Sequence, residues 1–582
     1  MSVLDVMYII LHLERNVQKV RETILYTFCE QRFTIKDRIC AYPNKKSTGV
    51  TEGECYTMKN ATMDAKRMVN RYGSLRTMLV VEGLLVGVFA GLVTSLYRYL
   101  LDRADDIRNA AIGFCSGSPL RMLGWFGALA VMAVVVTLLL KWEPMISGSG
   151  IPQVEAELMG YIRPCWWRVV LGKIAAGFVC ILGGLSLGRE GPSVQLGGMA
   201  GKGISRGLKR FRLEEHFLIT CGASAGLSAA FNAPLAGVMF ALEEIHKNFS
   251  AMVLLSCMAA SLVADYISSG LFGMEPVFTF QFAGMIPLRG YAYILILGVL
   301  CGVLGAVHNA GMLGAQTLYK KLGFLPQVCR IFIPFLIAGV LGFIMPELLG
   351  GGHHMVSMLY VENPQFGLLV TIVVVKFLFS AASFGSSAPG GTLVPLLVLG
   401  AFIGGAYGSA AVNWFGFDRD FATNLVIIAM AAFFAAIVRA PVTGIVLISE
   451  LTGSFSHLLS LSTAALVAYV VAEALRSKPF FEHLTERFLE GQKGKVIVKG
   501  TAKKSIITSV IEQGSEADHC MIQDLGLPSS CLVVSVTRGA EELIPRGKLR
   551  LKAGDTLATM VSERDLAAME SVLKHKVTFE EK

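Results

Sequence analysis

Residues 188–193 read Gly188-Arg189-Glu190-Gly191-Pro192-Ser193 and stand in the middle of an apolar, glycine-rich region. A carboxylate inside a bilayer is costly enough that its presence there marks function by default. The glycines interrupt the chain beside the acid, and proline is favoured in the first turn of a new helix. A helix N-terminus carries amides without internal partners and roughly half a positive charge. The hexapeptide therefore reads as a helix that starts inside the apolar region, with Glu190 placed where an anion would sit. The carboxylate can compete for that place and leave it on protonation. The plain alternative is an acid that only caps its helix.

Working outward, the chain has 582 residues, of which 53% are apolar and 16% charged, with 61 glycines. Soluble domains are about a quarter charged. Apolar runs of about twenty residues mark membrane spans. Clear ones start near Met78, Leu123, Val169, Ile294, Ile331, Leu368, Leu425 and Leu459. Glycine recurs in nearly all of them, as membrane helices allow. Buried helices of a large soluble protein are the alternative, and they rarely reach that length. The net charge of +9 comes without a basic and aromatic face, which argues against nucleic acid as a partner. Lys and Arg crowd the chain before Arg76 and after Arg476, which places both ends in the cytoplasm. The twelve cysteines form no metal-spaced cluster, and several (Cys180, Cys257, Cys301) lie inside spans as small apolar residues. No cleavable signal peptide is visible.

Residues 1–75 are polar and carry no assignable role. The basic stretch from Lys66 to Arg76 leads into the first span, so Met63 reads as a second possible start. Residues 76–482 form the membrane domain, with further interruptions at Gly148-Ser-Gly-Ile-Pro152, Asn232-Ala-Pro234 and Ala388-Pro-Gly-Gly391. Broken spans at corresponding places point to a transport site. Ala233-Pro-Leu-Ala-Gly237 precedes an apolar helix ending in Glu243, and Ala440-Pro-Val-Thr-Gly444 precedes one ending in Glu450. The two copies lie about two hundred residues apart, as repeated transporter halves require. Three places offer anion-binding helix starts: Ser149-Gly150-Ile151-Pro152 with a hydroxyl donor, Gly191-Pro192-Ser193 after Glu190, and Gly390-Gly391-Thr392-Leu393 before a helix through Gly400. For one such glycine motif, close helix packing without a ligand is the better reading; three together with a carboxylate reverse it.

Residues 494–582 are charged and read as a small α+β module, with a strand at Cys531–Thr537, a turn at Arg538-Gly-Ala, a sheet continued by Leu543–Gly547 and Asp555–Met560, and a capped helix from Ser562 to Leu573. So small a core predicts pairing with a copy of itself.

The motifs at Gly148–Pro152, Gly188–Pro192, Asn232–Gly237 and Ala388–Gly391 stand in the order and spacing of the CLC chloride channel and transporter family, which residues 76–482 resemble. The resemblance implies an all-α polytopic membrane protein with inverted repeats and broken helices (the CLC fold), beside the small soluble α+β C-terminal domain. It implies a homodimer with one anion pathway per subunit. It makes Ser149 the central serine ligand and Glu190 the gating glutamate. The amides of Thr392 and Leu393 take the place of those in a Gly-x-Phe-x-Pro loop, here Gly391-Thr-Leu-Val-Pro395. Gly150, Arg189 and Gly191 flank the anion. Glu244 matches the internal proton-relay acid of the antiporters, which channel members usually lack; its plain reading is a solvated helix end. The family's central tyrosine is here Phe481, a ring without a hydroxyl donor. Gly191-Pro-Ser-Val194 keeps the chloride-type residues that fluoride exporters vary, and Ser149 argues against nitrate. The C-terminal module, at residues 494–576, resembles the TrkA C-terminal (RCK_C) domain through Asp524–Pro528, Leu543–Gly547 and Leu551–Leu557. Such domains dimerise, and some bind nucleotides such as cyclic di-AMP, which makes Ile544 and Pro545 candidate contacts. A purely structural dimer domain is the alternative.

The resulting expectation is a chloride/proton antiporter with no cofactor, whose only ligands in transport are chloride and protons. Its alternatives are a passive chloride channel and a fluoride/proton exporter. Potassium transport is disfavoured because no Thr-Val-Gly-Tyr-Gly filter is present. An intramembrane enzyme is disfavoured because Ser149 and Ser186 have no triad partner beyond His308 or the loop pair His353-His354. The RCK_C fusion suggests a bacterial source and a role in acid resistance or charge compensation.

Overall fold

The computed structural model describes residues 52–247, 249–278, 284–352, 355–356, 359, 365–492, 504–527, 531–539, 541–562, 572–573 and 576–577, with backbone only for 52–76. His353, His354, Pro528 and most of the expected helix after Ser562 lie outside the described residues. The helices are α1 (Glu52–Cys115), α2 (Pro119–Trp142), α3 (Ile151–Leu158), α4 (Trp166–Leu182), α5 (Glu190–Gly207), α6 (Arg212–Phe231) and α7 (Pro234–Phe240), which continues as a wider turn to His246. They go on as α8 (Ala251–Phe272), α9 (Tyr291–Lys321), α10 (Gln327–Ile344), α11 (Phe366–Gly385) and α12 (Leu393–Phe415). The last are α13 (Ala422–Val438), α14 (Pro441–Leu451), α15 (Leu458–Ala474) and α16 (Phe480–Gln492).

Among the described residues, eight helices are long and apolar enough to cross a membrane. The chain is a multi-pass membrane protein. Two spans, Ala251–Phe272 and Leu393–Phe415, were not among the expected runs; the latter continues past the expected end at Gly400. The runs near Val169 and Leu459 are helices of 17 residues, α4 and α15, because Gly183 and Leu475 end them early. The two faces of the bundle follow composition. α2 turns Leu120, Leu123, Val131 and Leu138 outward, where lipid would cover them, whereas α13 is buried from Asn424 to Val438 on every side. A helix that is apolar all round and enclosed by protein forms the middle of such a bundle. α5 and α6 approach most closely: a methyl group added at Gly197 or Gly222 would overlap the opposite carbonyl oxygen.

The two repeats hold one another by their ends. Both oxygens of Glu450, at the end of α14, accept from the amides of Leu235 (3.0 Å) and Ala236 (2.7 Å), which open α7. In return Glu243, at the end of the α7 segment, accepts from the Thr443 amide (2.8 Å) and hydroxyl (2.7 Å) in the first turn of α14. Each acid satisfies helix-start amides that the repeat itself leaves unpaired. Glu450→Ala strands two amides, at about 1–3 kcal/mol for each if they stay dry. The expected result is a clearly lower thermal midpoint in detergent; an unchanged midpoint would contradict the cross-capping.

The C-terminal module is a four-stranded antiparallel sheet in the order β1-β4-β2-β3, from β1 (Lys504–Val510), β2 (Leu532–Arg538), β3 (Glu541–Leu543) and β4 (Thr556–Ser562). β1 was not foreseen in the sequence, and the sheet segment expected at Leu543–Gly547 stops at Leu543, since Pro545 has no amide for the ladder. Val533, Val536, Leu551, Leu557 and Val561 form its core. Arg538 binds Asp555 with two nitrogens, each 2.8 Å from a carboxylate oxygen, and the Lys552 amide donates to the same group at 2.9 Å. The Arg538 guanidinium, with that amide, holds the Asp555 carboxyl below its ordinary value of 3.8. The folded value lies under the unfolded one, so the stabilisation is present above about pH 4 and is lost as pH falls toward the folded value. Hydrogen exchange along β2 and β4 should quicken below about pH 4. With Arg538→Ala the exchange should already be quicker above pH 4 and should change less as pH falls, because the folded and unfolded values of Asp555 then draw together; coincident profiles would rule the pair out as its cause.

A candidate anion site where broken helices meet

Three interrupted segments are laced together by backbone hydrogen bonds. Gly188 and Gly391 exchange both of theirs at 2.7 and 2.8 Å, and the Gly390 amide donates to the Gly148 carbonyl at 3.0 Å. The starts of α3, α5 and α12 are thereby brought to one place. Ser149 (3% exposed), Glu190 (1%), Thr392 (4%) and Leu393 (1%) are all buried there, none against lipid. The local chain needs its glycines. Gly150 has φ +100°, and a Cβ on it would lie 2.5 Å from Gln195 Oε1. A Cβ on Gly191 would lie 2.7 Å from the Ser149 carbonyl oxygen, so the turn before α5 rests directly on Ser149.

Glu190 reaches across the two repeats. Its Oε1 accepts the N–H of Leu393 at the start of α12, and the amide of Val394 also points at the carboxylate. Its Oε2 is buried with no hydrogen-bond partner among the described residues. The carboxylate thus occupies a nest of helix-start amides that would equally suit a dehydrated halide. Ser149 Oγ accepts from the Ile151 amide at 3.3 Å, which leaves its hydroxyl proton available to donate. Arg189 turns away from this nest: its guanidinium lies 3.5 Å from Asp102 and over the Phe231 ring.

On the other side of Ser149 lies a cavity of about 200 Å³. Ser149, Ser386, Lys320, Arg330 and Arg487 are on its wall, so a positively charged vestibule leads to the candidate site. Phe481, 2% exposed, opens α16 with its ring 6.2 Å from Phe240 and 5.5 Å from Phe480.

Glu244 is buried and its Oε1 has no partner among the described residues. It faces Glu155, Glu482, Glu243 and the ammonium of Lys247. A solvated helix end does not describe it. Two functional candidates escaped the sequence reading. Glu155, on α3, takes a 2.5 Å hydrogen bond from the Thr485 hydroxyl of α16 and shares the surroundings of Glu244. Lys173, fully buried on α4, donates to the carbonyls of Ile146 (2.9 Å) and Gly148 (2.7 Å) and so fixes the loop that carries Ser149. Its counterpart on α11, Lys376, holds the carbonyls of Leu348 (2.8 Å) and Gly350 (2.9 Å) in the same way. A lone lysine inside an apolar run was the available signal in both cases.

The hydroxyl of Ser186 lies on that of Ser380 at 2.8 Å, and His308 is ringed by Phe377, Phe433 and Phe480. Neither arrangement resembles a triad. In the C-terminal module Ile544 is 74% exposed just past β3, and Pro545 follows it half-buried.

Residues 127–473 match the family model described as voltage gated chloride channel, and residues 506–574 match the TrkA-C domain. The chain is 34% identical over 425 residues to the H(+)/Cl(-) exchange transporter ClcA of Vibrio cholerae, covering 70% of this chain and 89% of that one. It is 33% identical over 445 residues to the ClcA of Vibrio vulnificus, covering 74% and 94%. Among solved structures it is similar to a slow cyanobacterial Cl-/H+ antiporter, with TM-score 0.68, 30% identity and coverage of 71% and 99%. A CLC-type fluoride/proton antiporter shares the fold at 22% identity, with TM-score 0.58 and coverage of 68% and 96%.

Proposed function

Because the chain belongs to the voltage gated chloride channel family, we propose that it exchanges chloride for protons across the membrane, with Glu190 as both gate and proton carrier. The observation that carries this reading is the Glu190 carboxylate on the Leu393 amide, with its second oxygen left open. While charged, the carboxylate holds the amide nest against chloride. Protonation removes its claim on those amides, because a neutral acid gains far less from amide donors than a carboxylate does. The side chain then leaves, and chloride takes its place beside Ser149, Gly150, Gly191, Thr392 and Leu393. Arg189, paired with Asp102, contributes positive potential from the outer side. The ring of Phe481 closes the wall of the pathway without donating a hydrogen bond.

Glu244 passes protons at the inner end, in a cluster with Glu155 and Lys247. The chain works as a homodimer with both termini in the cytoplasm. Residues 76–482 carry transport, residues 494–576 form a dimerising regulatory domain, and residues 1–75 have no assigned part. Ile544 and Pro545 offer an apolar edge to a nucleotide base at that domain. No cofactor takes part, and the chain is a transporter with no enzymatic step.

The test is flux from liposomes. A chloride gradient alone should drive protons against their own gradient. Chloride flux with no proton movement would leave a passive channel as the reading. Glu244→Gln should abolish proton movement while chloride flux persists; intact coupling in that variant would remove Glu244 from the relay.

A further inference from the structure

We propose that a basic cavity at the membrane face where the first span begins seats the phosphate group of an anionic molecule, supplied by an inner-leaflet phospholipid headgroup. The cavity has a volume of about 170 Å³ and is lined by Glu157, Arg163, Arg206, Arg210, Arg212 and Glu215, with Ile162 and His216 completing its wall. It shares no lining residue with the vestibule below Ser149. Nothing in the exchange of chloride for protons uses it.

Among the described residues its wall carries four arginines and two glutamates. Glu157 is ion-paired with the buried Lys202, Glu82 with Arg210, and Glu215 lies 3.6 Å from Arg206. Glu214 turns back to accept the Phe211 amide at 3.2 Å. Among the described residues, Arg163, Lys202, Arg206, Arg210 and Arg212 stand around these four carboxylates, and Arg212 also donates to the Gly160 carbonyl at 3.4 Å. Arg210 keeps its Nε buried without a partner among the described residues. Four guanidinium groups around one small hollow form the donor set that recognises a phosphate's planar pairs of oxygens. A chloride ion would use few of those donors.

The depth of the cavity favours a headgroup. Arg210 pairs with Glu82 near the start of the apolar part of α1, so the hollow lies where the first span enters the bilayer. The neighbouring start of α4 carries Trp166 and Trp167, and Trp142 at the end of α2 stacks edge-on to Trp167 with ring centroids 6.3 Å apart. All three are partly exposed. Tryptophans gather at the level of lipid headgroups, and basic hollows between membrane helices on the cytoplasmic side hold anionic headgroups. The same α5 that begins with Glu190 ends at the cavity with Arg206, so a headgroup there bears on the helix that carries the gate.

Native mass spectrometry of the full-length protein tests this with phosphatidylglycerol, phosphatidylcholine and inorganic pyrophosphate as probes. Phosphatidylglycerol should stay bound in preference to phosphatidylcholine, which has a phosphate but no net charge. Added pyrophosphate should displace it. Arg163→Gln combined with Arg212→Gln should weaken retention roughly tenfold or more, while Arg212→Lys alone, which keeps the charge, should weaken it less. Chloride flux from the same preparations reports whether each variant is folded. Equal retention of phosphatidylglycerol in the double variant would overturn the site, and the pyrophosphate competition decides on the unaltered protein if that variant does not fold. Pyrophosphate binding without any phosphatidylglycerol retention would overturn the lipid source and assign the cavity to a soluble phosphate compound.

Discussion

In liposomes bearing Glu190→Gln, protons will stop following the chloride gradient, while chloride itself continues to move. The amide side chain imitates the protonated acid permanently. It can no longer hold the Leu393 amide as a carboxylate does, and it cannot carry a proton. Proton flux should fall to the level of protein-free liposomes, and chloride flux should lose its dependence on pH. Both are read in one experiment with a proton-sensing dye and a chloride electrode. Persistent proton coupling in this variant would remove the central claim, because among the described residues no other acid lies in the nest between the starts of α5 and α12.

Lys173→Met should be the most damaging change away from Glu190. The lysine lies in the apolar wall of α4 and donates to two carbonyls of the loop leading to Ser149. Methionine fills a similar volume but takes from the Ile146 oxygen its lysine donor, at about 1–3 kcal/mol, and leaves the Gly148 oxygen with one donor in place of two. The Gly148 oxygen also receives the Gly390 amide, so slack at this point spreads to the loop before α12. The expected result is a lower thermal midpoint together with chloride binding weakened about tenfold or more in calorimetry. A stable variant with unaltered chloride binding would show that the loop keeps Ser149 in place without the amine. Lys376→Met, at the matching position of the second repeat, should lower stability with a smaller effect on chloride, since its loop carries no candidate ligand.

The parts of this architecture that were legible in the sequence are those marked by punctuation. Glycine and proline beside Glu190, Ser149 and Thr392 announce helix starts inside apolar surroundings, and the structure brings those starts together. The two spans that were passed over are the least apolar of the eight. α8 carries Asp265 and several serines, and α12 is broken by glycines, so neither forms a clean run. Lys173 and Lys376 were visible as charges inside apolar helices, but only the folded chain shows the carbonyls they serve. Glu243 and Glu450 were read as marks of a repeat. Their exchange of amides across it depends on contacts between residues about two hundred positions apart, which periodicity cannot reveal. Glu155 gave little signal for a similar reason: its partner Thr485 stands 330 residues further along the chain.

That exchange sets the order of assembly. When the first repeat leaves the ribosome, the amides of Leu235 and Ala236 face lipid or water with no acceptor, because Glu450 is still to be synthesised. The early half lacks these caps until its twin arrives, and the twin in turn needs Glu243 to cap the start of α14. A chain cut between the repeats should therefore recover its fold only when both fragments are made in the same cell.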